Sequence, residues 1–241
     1  MQTKKASKSK FTFFTAIAWL GIIAILVGFL KTFIIPIISG TKTWPMAIYA
    51  HAFFVFGWVV IFLTQSLLIQ NRKYNTHIFI GKWSAFIALG AAISIIPAAL
   101  YQVERELKEG LGQTAISPIV GSVASATMFL SLVTLAIVYR KSPQIHKRLM
   151  LLATILLIWP AWFRWRHYFP SVERPDIWFA VVLADSLIIV AFIWDWLRNQ
   201  RIHPALLCGG LFIISENVME ILLFDSSGWR IIANALYNFL K

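Results

Sequence analysis

Seven stretches, each long and apolar enough to cross a bilayer, restrict this chain more than any other feature of its sequence. They lie at residues 12–35, 46–70, 78–101, 118–139, 148–169, 177–197 and 204–224. About 20 apolar residues are needed to cross a hydrocarbon core of about 30 Å. In lipid every backbone amide needs an internal partner, and no strand pattern competes here. The expected fold is therefore all-α, a polytopic membrane helix bundle with seven transmembrane helices. Only 13% of the residues are charged, about half the share usual in soluble domains.

The spacing of polar turns organises these runs. N-R-K-Y-N-T-H at 71–77, R-K-S-P-Q-I-H at 140–146 and R-N-Q-R-I-H at 198–203 each close one apolar run and open the next. Arg72 and His77, Lys141 and His146, and Arg198 and His203 keep one spacing. This predicts a leading helix followed by three related hairpins, with the three turns on one side of the membrane. Three parts follow: a basic tail at 1–11, the seven-helix domain at 12–224 and a C-terminal segment at 225–241. In that last segment Ile231, Ile232, Ala235, Leu236 and Phe239 share a helical face, the pattern of an interfacial amphipathic helix.

The net charge of +12 points to membrane orientation rather than to nucleic acid. Lys4, Lys5, Lys8 and Lys10 of the tail join Arg72, Lys73, Arg140, Lys141, Arg198 and Arg201 of the repeated turns, whereas Glu104, Glu106, Glu109, Glu173 and Asp176 fall in the opposite loops. By the positive-inside rule the N-terminus is expected on the cytoplasmic side and the C-terminus on the opposite side. The lipid bilayer is then the expected partner, and the oligomeric state stays open. No cleavable signal peptide is expected, since the first apolar run is too long for one. The single Cys208 leaves no internal disulfide and no multi-cysteine metal site.

Two groups of polar residues could carry chemistry. On the basic side, His77, His146 and His203 open helices at one depth, and Asp195 lies two turns before His203. Three imidazoles with a carboxylate form an acceptable zinc or iron set. Histidines at helix starts that touch headgroups and loop carbonyls satisfy the same pattern. On the other side, counting about 1.5 Å per residue along each helix puts Arg164, Glu216 and Glu220 at similar heights. His51 and His167 lie nearby in depth, and Asp185 sits nearer the middle of its helix. Ionisable groups at such depth pair with one another or line a hydrated cavity. An Arg164–Glu216 or Arg164–Glu220 ion pair is the specific expectation. His51, Trp58, Gln65 and Arg72 recur every seven residues on the second helix, so they form one polar stripe facing the bundle.

The blocks H-K-R-L-M-L-L-A-T (146–154), H-P-A (203–205), H-A (51–52) and T-H-x-x-x-G (76–81), with Asp195, resemble those of a group of uncharacterised bacterial seven-helix inner-membrane proteins. The resemblance spans helices two to seven and implies no activity. In outline the chain is also similar to di-haem b-type membrane cytochromes, without their two histidines about fourteen residues apart on one helix. It lacks the H-x-x-x-H of seven-helix zinc hydrolases, the mid-helix lysine of retinal proteins and any phosphate-binding glycine loop. The leading expectation is a haem- or metal-binding redox or electron-transfer membrane protein, with haem b or a divalent metal as cofactor. The outer polar cluster would then hold a propionate, a quinone or another small polar ligand. The alternatives are a small-molecule or proton- or cation-coupled transporter, and a non-catalytic accessory or assembly subunit.

Overall fold

A computed structural model describes residues 12–241; the basic tail at 1–11 lies outside the described residues. Seven helices are long and apolar enough to span a membrane. We label them α1 (Phe13–Ile38), α2 (Met46–Gln70), α3 (Tyr74–Lys108), α4 (Pro118–Val138), α5 (Pro143–Phe163), α6 (Asp176–Asn199) and α7 (Pro204–Leu223). A final helix, α8, spans Ser227–Leu240. No strand occurs among the described residues.

Several boundaries follow from local chemistry. Thr12 caps α1 by accepting a hydrogen bond from the Thr15 amide, and Ser226 caps α8 by accepting from Trp229. Prolines open α4, α5 and α7, where the absent N–H costs nothing. Helix α3 runs to Lys108, seven residues past its predicted end. Gln102, Glu104, Arg105 and Glu106 are good helix formers, and an apolar run measures only the part in lipid. Gly110, at φ +88°, terminates the extension.

Helix α5 is the axis of the bundle. In its apolar window 67% is buried inside the protein, against 17–39% in the other spans, and it is the least apolar of the seven. The two facts belong together, because a helix screened from lipid by its neighbours can carry polar residues. Gly28 of α1 faces it so closely that a Cβ there would strike the Ala161 carbonyl. Elsewhere Phe53, Phe79, Phe86, Ile193 and Leu222 are exposed, as a surface meant for lipid requires. Cys208 is also exposed, on the least buried span, rather than packed as a small core residue.

Helix α8 divides its apolar residues between two directions. Ala233 and Tyr237 pack on Val103, Ile116 and Ile119, while Ile231 and Phe239 point outward. Its entry is held by Asp225, which accepts from Ser117 Oγ at 2.5 Å, Thr114 Oγ1 at 2.8 Å and Arg230 Nε at 2.8 Å. The Arg230 guanidinium and these hydroxyls hold the Asp225 carboxyl far below the usual carboxylate range.

Candidate functional site

The polar stripe of α2 is a seam between helices. His51 Nδ1 and Ser94 Oγ of α3 lie 3.2 Å apart. Trp58 Nε1 donates to Thr154 Oγ1 of α5 at 3.1 Å, and Gln65 Nε2 donates to the His77 carbonyl at 3.2 Å. Arg72 falls in the turn, with φ +60°.

At the end carrying the basic turns, the four expected metal-site residues separate into two pairs. His77 and His146 each lie three residues after the first residue of a helix, whereas His203 precedes Pro204 and caps α7. The proline fixes where that helix begins, which shifts the third histidine by about one turn. The His77 and His146 rings meet edge to face with centroids 6.4 Å apart. His146 Nδ1 lies 2.8 Å from the Ala136 carbonyl oxygen, while His77 Nδ1 is buried without a partner. His203 Nδ1 instead accepts the Ala205 amide at 3.1 Å. Burial, and then the Arg148 charge, hold the His203 imidazole below its ordinary value.

Asp195 belongs to a different network, centred on a residue that sequence reasoning passed over. Arg148, 2% exposed, makes a two-pronged contact with Asp195, which is fully buried. Asp195 also accepts from Asn199 Nδ2 at 2.7 Å and from the His203 amide at 2.8 Å. Gln144 takes the remaining arm of Arg148 through its carbonyl and its side chain, both at 2.8 Å. Arg148 follows the basic turn at 140–146 and Asp195 precedes the one at 198–203, but nothing in the sequence links the two. Among the described residues, no three His, Cys, Asp or Glu side chains form a group able to hold a metal ion.

At the opposite end, the six residues singled out from the sequence fall into two groups. Arg164 Nη1 donates to the Pro160 carbonyl at 3.0 Å, and its guanidinium lies 4.1 Å above the Phe29 ring. Among the described residues, no carboxylate stands within ion-pair distance of Arg164. The expected pairs with Glu216 and Glu220 are thus not what the structure brings together. His51 and His167 lie within electrostatic reach of Arg164. These three form a basic group, carried by α2 and the end of α5, beside Phe29 of α1.

The acidic group is built from α6 and α7. Asp185, 6% exposed, accepts from Asn217 Nδ2 at 2.8 Å through Oδ1, while its Oδ2 is buried without a partner. Glu216 lies within electrostatic reach of Asp185, and Glu220 within reach of Glu216. Glu216 Oε2 is also buried and unpartnered. Glu220 packs on Gly121 of α4, in the space that a Cβ there would occupy. That glycine sits in the small-residue stretch of α4, which makes room for an acid as well as for a helix. Asn217 was missed in the sequence because an amide carries no charge to flag it.

Fold and polar clusters together define a polytopic α-helical membrane protein with acids buried in its spans. No protein-family model, curated protein or solved structure matches the chain.

Proposed function

We propose that this protein is a proton- or cation-coupled membrane transporter of a small polar solute, with Asp185, Glu216 and Glu220 as the coupling site. One observation carries the reading. Two carboxyl oxygens, Asp185 Oδ2 and Glu216 Oε2, are buried without a donor, and no Lys or Arg pairs with any of the three acids among the described residues. Leaving such atoms unsatisfied costs about 1–3 kcal/mol each, so a proton or a cation is the natural complement. Intramembrane carboxylates lacking a structural partner mark ion and proton paths.

The bacterial inner membrane is the setting this reading assumes, with the basic turns toward the cytoplasm and α8 lying along the far surface. The basic residues of all three turns at one end of the bundle support that orientation. The haem or divalent-metal reading has less behind it, since only His77 and His146 approach one another.

A hydrophobic carbodiimide, which reacts with protonated carboxyl groups, tests the site in proteoliposomes. Mapping by mass spectrometry should find the adduct on Glu216 or Glu220, with sodium or acid–base exchange altering its rate. Labelling confined to exposed acids outside the spans, such as Glu109 and Glu173, would refute the assignment.

A further inference from the structure

The end of α5 carries a second charged feature, independent of the acids. Lys31, about two turns before the end of α1, gathers with Arg164, Arg166 and His167, which follow α5, and His167 lies within electrostatic reach of the other three. Each cation is held in place by neutral groups. Lys31 Nζ donates to the His167 carbonyl at 3.3 Å and lies 4.2 Å from the centre of the Tyr168 ring. Arg164 is held by the Pro160 carbonyl and Phe29. Arg166 is held by the Phe163 carbonyl at 3.1 Å and by the Phe163 ring at 3.8 Å. Tyr168 in turn donates to the Val27 carbonyl at 2.8 Å, tying this segment to α1.

Carbonyls and ring faces fix these side chains without neutralising them. Each guanidinium has five N–H donors, of which the protein engages one nitrogen, Nη1. Among the described residues, Nε and Nη2 of Arg164 and Arg166 make no hydrogen bond, and neither residue is among the fully buried ones. Glu106 of α3 lies within electrostatic reach of Arg166 without forming an ion pair with it, and pairs instead with Arg105 at 3.5 Å. Arg105 adds another positive charge to the surroundings of Arg164. Like charges held this close call for a counter-ion, and a preorganised guanidinium fork matches the geometry of an oxyanion.

We propose that Lys31, Arg164 and Arg166 form a binding site for a phosphate group, carried either by an anionic phospholipid headgroup or by a soluble phosphate compound. The site sits at the end of the bundle, where either source can reach it.

The test uses the full chain, purified in detergent and delipidated. One arm titrates phosphatidylglycerol against phosphatidylcholine by native mass spectrometry. The other measures the melting temperature in inorganic phosphate against chloride at matched ionic strength. A stoichiometric preference for phosphatidylglycerol identifies the lipid source, and a phosphate-specific rise in melting temperature identifies the soluble one. In either case Arg164→Gln should weaken binding about tenfold or more, as loss of a charge-assisted bond implies. Lys31→Gln provides the same readout should Arg164→Gln fold poorly, and Lys73→Gln, at the other end of the bundle, should change nothing. Equal response to phosphatidylcholine and chloride, or wild-type binding by both Arg164→Gln and Lys31→Gln, would overturn the proposal.

Discussion

Arg148–Asp195, fully buried, and the Asp185–Glu216–Glu220 group, of which only Asp185 is fully buried, are two sets of ionisable residues in the same bundle, treated in opposite ways. At the basic-turn end every oxygen of Asp195 has donors, and Arg148 is engaged at Nε, Nη1 and Nη2. At the other end, Asn217 donates to Asp185 Oδ1 alone, and two further oxygens of the three acids are buried without a donor. A charge that only fixes helix register gains from complete pairing, since each unpaired buried atom lowers stability. Where the pairing is left incomplete, an exchangeable ligand can complete it. The difference separates a structural clamp from a candidate working site.

The sharpest way to break the comparison is to remove half of the clamp. Asp195→Ala or Arg148→Met should cost about 3–5 kcal/mol by stranding a buried charge. Thermal unfolding in detergent would show this, and a hydrophobic double replacement should recover much of the loss. A small effect from either single change would mean that the clamp is not structural. Next in size is Gly121→Leu, which forces a side chain into the space of Glu220. Overpacking of this kind typically costs about 1–3 kcal/mol, and carbodiimide labelling of Glu220 should change with it.

A smaller effect is expected at His203, whose neutral ring caps α7. Because its folded-state value is depressed, the imidazole contributes fully above its ordinary value of about 6.5. That contribution is lost progressively as pH falls below this point toward the lower folded-state value. His203→Asn keeps an acceptor at the cap and should remove this part of the acid sensitivity of the melting temperature. Unchanged sensitivity would place its origin elsewhere. The smallest stability changes should come from Asp185→Asn and Glu216→Gln, within about 1 kcal/mol of wild type or stabilising, since each relieves an unpaired carboxylate. Destabilisation as large as that of Asp195→Ala would make the acids structural as well.

The seven spans were legible because lipid imposes a long apolar run on every crossing, and 46–70 falls on the very bounds of α2. Rise per residue converts sequence into position along a helix, but direction around the axis was not legible. Arg164 lies over Phe29 of α1 and, among the described residues, makes no ion pair with Glu216 or Glu220 of α7. A 3-10 turn replaces the α-helix from Arg164 onward and breaks the phase that spacing arguments assume. Likewise the repeated turns predicted three equivalent histidines, but Pro204 moved the start of α7 relative to His203. Arg148 escaped notice because its partner is 47 residues away and no local pattern joins them.

Infrared difference spectroscopy of the membrane-embedded protein, recorded on changing pH or adding sodium, tests the coupling site most directly. The account predicts a protonated-carboxyl band from within the bundle that responds to the change and disappears in Glu216→Gln or Asp185→Asn. A spectrum without such a band, or one unaltered by both substitutions, would contradict it.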